Sequence, residues 1–101
     1  MTESKQDTRP DFLVTGQEPP RYRVILHNDH FTTMEFVVDI LENVFHKNSS
    51  EAFLIMQHVH QRGTGTCGVY SMEVAEARVA LVTSLARENE FPLLCTMERE
   101  E

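Results

Sequence analysis

Between Tyr22 and Met97 the apolar residues switch repeatedly between two spacings, and this switching restricts the fold more than any other feature. Tyr22, Val24 and Leu26 alternate as on one face of a strand. Asn28, Asp29 and His30 break the run. Then Met34, Val37, Val38, Leu41, Val44 and Phe45 recur at helical spacing. Thr32-Thr33-Met34-Glu35 fits a capping box, with Thr32 as the cap and Glu35 reaching back to it. Lys47-Asn48-Ser49-Ser50 ends that helix, and Ser49 is suited to cap the next. Its stripe is Ala52, Ile55, Met56 and Val59, and Gly63 stops it. Thr66 to Tyr70 reads as a second strand. Ser71 caps a third helix with the apolar arc Val74, Ala75, Val79, Leu81, Val82, Leu85 and Ala86, closed by Asn89 and Pro92. Leu93 to Met97 reads as a last strand. The expected fold class is α+β: three short, mainly antiparallel strands packed against three helices in the order β-α-α-β-α-β.

The switching begins only after Pro19-Pro20, neither of which can donate to a helix or a sheet ladder. Residues 1–20 hold mixed charges, three prolines and one short apolar cluster at Phe12-Leu13-Val14, too little to bury. They are expected to form a disordered extension, with residues 21–101 as the folded domain. The whole chain is 101 residues, enough for one modest core. Its net charge of −7 disfavours a phosphate backbone and favours a cationic ligand or a basic partner. No apolar run approaches the roughly 18 residues of a membrane span, and the N-terminus shows no secretory pattern. A cytoplasmic chain without nucleic-acid or membrane contact is therefore expected. Cys67 and Cys95, both in apolar surroundings, read as two buried thiols.

Two polar groupings stand out. Asn28-Asp29-His30 sits between a strand end and a helix start, where functional groups are often displayed. Asn-Asp is also a common turn former, which is the plainer reading. His58-Val59-His60 lies near the end of the second helix. Residues two apart on a helix diverge by about 200°, so the two rings face different ways. His60, four after Met56, borders the apolar stripe; a surface His near a helix C-terminus is the plainer alternative. The two His cannot share a metal, there is no Cys-x-x-Cys, and neither a phosphate loop nor a serine nucleophile motif is present, so no metal and no cofactor are expected. Met34 and Met56 suit a core, and equally a deformable pocket lining. The residues alone thus suggest acceptors beside an apolar hollow without naming the ligand.

Several stretches in order resemble the ClpS family, the adaptors of the ATP-dependent Clp protease. They are Tyr22-Arg23-Val24-Ile25-Leu26-His27-Asn28-Asp29, Thr33-Met34-Glu35-Phe36-Val37, Met56 with His58-Val59-His60, Cys67-Gly68-Val69-Tyr70, Glu73-Val74-Ala75-Glu76, Ala86-Arg87-Glu88-Asn89, and Pro92-Leu93-Leu94-Cys95-Thr96-Met97-Glu98. The resemblance covers Arg21 to Glu98. It implies a non-enzymatic, monomeric adaptor that binds proteins beginning with Leu, Phe, Tyr or Trp and delivers them to the ClpA unfoldase. On that likeness, Asn28, Asp29, His30 and His60 engage the free α-amino group. Thr32, Met34, Val37, Met56, Val59 and Leu93 line the side-chain pocket. Glu73 and Arg78 face ClpA, and the N-terminal extension engages the unfoldase pore. The family commonly carries aspartate where His30 stands and lysine where Arg78 stands. A neutral His30 ring still accepts a hydrogen bond, whereas a protonated one repels an ammonium. Binding that weakens in acid, as His60 becomes a cation, and in base, as the ligand amine loses its charge, follows from the same chemistry. The alternatives from other classes are a small metal-dependent hydrolase using the His clusters and a ribosome-associated module.

Overall fold

The computed structural model describes Gly16 and Glu18 to Glu101. The expected extension over residues 1–20 lies mostly outside the described residues. The elements are β1 (Tyr22–His27), α1 (Met34–Asn43), α2 (Ser49–Arg62), β2 (Thr64–Tyr70), α3 (Met72–Glu88) and β3 (Leu94–Arg99). The order and the antiparallel pairing are as expected. The sheet runs β2-β1-β3, so the first strand is central.

Alternation on β1 turns Val24 and Leu26 inward, where both are fully buried. Opposite them, Val24 faces Gly68 and Ile25 faces Thr66, which leaves Cys67 as an extra residue on β2. Gly65 and Cys67, two apart on β2, are both buried on the core face, and the bulge falls at Cys67. β3 supplies Cys95, and Arg23 pairs with its cross-strand neighbour Glu98 at 3.1 Å. α3 packs across all three strands, α2 packs on β2, and α1 packs on α2. Their buried residues (Val37, Ile40 and Leu41; Ala52, Met56 and Val59; Ala75, Val82 and Ala86) join the strands in one core. The thiols of Cys67 and Cys95 are free and buried. Burial drives both away from the thiolate: Cys95 is pushed up to about 12 and Cys67 higher still, with Cys95 beside it adding to the effect.

The helix starts differ from expectation by one residue, each for a local reason. Thr33, not Thr32, caps α1; its hydroxyl accepts the Phe36 N–H at 3.1 Å. Thr32 is already held by Asp29. Asn48, not Ser49, caps α2, and with Glu51 it forms a reciprocal capping box. Ser71 caps α3 as expected. Gly63 ends α2 at φ 93°, and its N–H donates to the Val59 carbonyl at 2.9 Å. Glu90 (φ 62°), just past the Asn89 cap of α3, and His46 (φ 57°), in the turn after the Val44 cap of α1, are left-handed although neither is glycine. Val74 and Leu81, expected in the core arc of α3, are 39% and 43% exposed and form an outward ridge. Among the described residues no helix is long and apolar enough to cross a membrane.

Candidate functional site

The loop from Asn28 to Thr33 is shaped by Asp29. Its Oδ1 accepts the N–H of Phe31 at 2.8 Å and of Thr32 at 2.7 Å, and its Oδ2 accepts the Thr32 hydroxyl at 2.7 Å. Partial burial works to raise the Asp29 pKa. The Thr32 and Phe31 hydrogen bonds and the nearby His30 outweigh it, so the carboxyl sits below its usual range and stays charged. Asp29 is therefore first an organiser of the loop: Oδ1 is filled by its two N–H bonds, and Oδ2 keeps one accepting site. Neither Asn28 nor His30 is enclosed; both side chains are exposed.

A second contact ties this loop to α2. The Asn28 N–H donates to the Gly63 carbonyl at 2.8 Å, and β1 and β2 remain paired up to His27 opposite Thr64. Asn28 therefore stands against the C-terminal end of α2, whose last turn carries His60. The final carbonyls of a helix give that end a partial negative charge, which favours a cation. Met56 lies one turn earlier on the same face as His60. Met56 is buried, and His60 is exposed above it.

The loop runs into Thr33 and Met34, and these line an open hollow of about 740 Å³ between α1 and α2. Its apolar walls are Met34, Phe36, Val38, Phe53, Met56 and Phe91. Phe36 and Phe91 pack with ring centroids 4.9 Å apart, in a tilted arrangement. Glu35, Asp39 and Glu42 stand on the α1 side. Of the six expected pocket residues, Met34 and Met56 line this hollow. Val37, Val59 and Leu93 are buried in the core beneath, and Thr32 is partly buried and bonded to Asp29. Sequence reasoning passed over Phe53 and Phe91. Phe53 falls off the α2 stripe, and Phe91 sits in the irregular segment before Pro92. Two aromatics outside any core pattern were the available signal. Glu73 is exposed in the first turn of α3, while Arg78 is partly buried over the Tyr70 ring.

Among the described residues no group of three or more His, Cys, Asp or Glu residues is arranged to hold a metal ion, so the His and Cys residues weighed from sequence are not assembled into one. None of Asn28, Asp29, His30 and His60 lines the hollow itself, which starts at Thr33 and Met34 where their loop ends; an α+β domain with an acceptor-rich loop tied to a helix C-terminus and an apolar hollow beyond it has the build of a binding module. The comparisons with known proteins narrow this class. The family profile of the ATP-dependent Clp protease adaptor protein ClpS matches residues 17–96. The ClpS adapter of Syntrophus aciditrophicus is 54% identical over 81 residues, spanning 80% of this chain and 76% of that protein. The adapter of Oleidesulfovibrio alaskensis is 48% identical over 102 residues, spanning 97% of this chain and 98% of that one. Among solved structures, Agrobacterium tumefaciens ClpS2 bound to L-phenylalaninamide aligns with a TM-score of 0.79 at 34% identity, covering 82% of this chain and 100% of that one. The chain belongs to the ClpS family of Clp protease adaptors.

Proposed function

We propose that this adaptor, itself without catalytic activity, binds proteins through a free N-terminal α-amino group and an apolar first side chain, and delivers them to a ClpA-type unfoldase. The observation that carries the reading is the Asn28–Gly63 tie. It holds the Asn28 backbone, and with it the start of the Asp29 loop, against the α2 end that bears His60. An α-ammonium is a donor-only cation. It calls for acceptors: the Asn28 oxygen, the Asp29 carboxylate directly or through water, an unprotonated His60 nitrogen and, where neutral, His30. The ligand of the Agrobacterium relative is consistent with this chemistry, since phenylalaninamide pairs a free amine with an apolar ring and has its carboxyl end capped as an amide.

The first side chain enters beside Met34 and Met56. Thr32, Val37, Val59 and Leu93 complete the lining of the side-chain pocket in this reading. Hydrogen bonds to a charged group contribute about 1.5–3 kcal/mol each. Burying a Leu or Phe side chain adds about 1.5–3 kcal/mol. After the cost of association, neither part alone holds a peptide, which is why an internal Leu is passed over. Leu, Phe, Tyr and Trp fit this scheme. Glu73 and Arg78 on α3 form the unfoldase-facing surface. Residues 1–20 serve as the extension that enters its pore, and the monomer works in the cytoplasm.

The test is a titration with two peptides that differ only at the amine, one beginning with Leu and one with N-acetyl-Leu. Binding at micromolar levels is expected for the first only. Equal binding of both would refute the reading.

A further inference from the structure

We propose that Tyr70 is a positioning residue whose ring, seated on Gly68, fixes the Arg78 guanidinium on the flank of α3 that meets the unfoldase. The inference rests on the partner-facing reading of Arg78 given above. The Arg78 Cζ lies 5.9 Å from the centroid of the Tyr70 ring, within the range of a cation–π contact. Arg78 Nε is shielded from water and, among the described residues, has no hydrogen-bond partner. With that nitrogen unbonded, the Tyr70 ring face is the contact the structure shows for the guanidinium among the described residues.

The ring is itself fixed from two sides. A Cβ on Gly68 would stand 2.6 Å from the Tyr70 Cζ and collide with the hydroxyl, so glycine is what allows the ring to lie against its own strand. The buried Phe45 ring lies 6.4 Å away, centroid to centroid. Partial burial raises the Tyr70 pKa although Arg78 opposes it, so the ring remains a neutral π face at working pH. Val74 and Leu81, four residues before and three after Arg78, share its flank of the helix and are exposed. An acidic chain thus presents a cation between two apolar side chains. Its charge complement is a partner carboxylate set in an apolar surround.

Tyr70→Phe, Tyr70→Leu and Arg78→Ala in the full chain, titrated against a ClpA unfoldase hexamer, test the inference. Tyr70→Phe is expected to bind within about twofold of wild type, and Tyr70→Leu about threefold to tenfold more weakly. Adding Tyr70→Leu to Arg78→Ala should cost nothing further, because the two act through one group. All variants should bind the Leu-first peptide as wild type does. Proton NMR gives a readout without the partner: the Arg78 δ-methylene resonances, shifted by the ring current in wild type and Tyr70→Phe, should move in Tyr70→Leu. Wild-type unfoldase affinity for Tyr70→Leu, or full additivity with Arg78→Ala, would overturn the inference. If Arg78→Ala binds the unfoldase normally, the partner-facing reading of Arg78 fails. The positioning claim is then decided by the resonances, and an unmoved δ-methylene signal overturns it. Tyr70→Met, of similar reach and without a ring, repeats the test if Tyr70→Leu is too unstable to study.

Discussion

Replacing Asp29 with Ala removes the acceptor for the hydrogen bonds from Phe31 N–H, Thr32 N–H and the Thr32 hydroxyl. The acceptor is charged, so each is worth up to about 1.5–3 kcal/mol where fully buried, an upper bound of roughly 4.5–9 kcal/mol for the three. The side chain is only partly buried and water competes for the freed donors, so a discounted cost of about 1–2 kcal/mol is expected. With a urea slope of about 1 kcal/mol/M, the unfolding midpoint should fall by about 1–2 M. Asp29→Asn keeps one acceptor oxygen and loses the charge, so it should lie between. The pH dependence has a fixed sign. The folded pKa of Asp29 lies below the ordinary carboxyl value of 3.8, so the unfolded chain binds the proton more tightly. The stability from the charge is fully present above 3.8 and is lost as pH falls through the folded value. The gap between wild type and Asp29→Asn should therefore hold constant from neutral pH to about 5 and close in stronger acid. The Leu-first peptide should bind Asp29→Ala about tenfold more weakly, because Asn28 and the start of α1 lose their frame. An Asp29→Ala protein with wild-type midpoint and affinity, or a gap that ignores pH, would refute the reasoning.

Other outcomes follow from separate contacts. A Cβ at position 65 would lie 2.6 Å from the Val59 Cγ2, so Gly65→Ala should destabilise by about 1–3 kcal/mol in urea melts by forcing α2 off β2. Cys67 and Cys95 should both fail to react with a thiol reagent in the native protein and react fully in denaturant. Glu90 holds a left-handed φ of 62° at the end of α3, so Glu90→Gly should raise stability by about 0.5–1 kcal/mol in the same melts. Met34 is 49% exposed at the hollow; if it forms the collar of the proposed side-chain pocket, Met34→Ala should admit Ile-first and Val-first peptides, read by competition binding.

The alternation of spacings was legible because strand and helix periods differ so strongly, and it located all six elements. The caps were less so. Thr32-x-x-Glu35 and Asn48-x-x-Glu51 both fit the capping pattern, and the local bond by which Asp29 claims Thr32 is what separates them. Sheet order could not be read, since nothing local to Tyr22–His27 says that both neighbours arrive from later in the chain. Val74 and Leu81 looked like core because periodicity reports spacing and is blind to whether anything lies opposite. At the site, Asn28, Asp29 and His60 drew notice by residue type. That Asn28 is fastened to Gly63 depends on how β1 meets β2, and the walls from Phe53 and Phe91 depend on how α1 meets α2.

The central place of β1 has a consequence for synthesis. Tyr22 pairs with Arg99 on one side, almost the full length of the domain away, so the middle strand keeps one flank bare until β3 has been made and docks. A message truncated before β3 should therefore yield a product that is cleared rather than a partly working one.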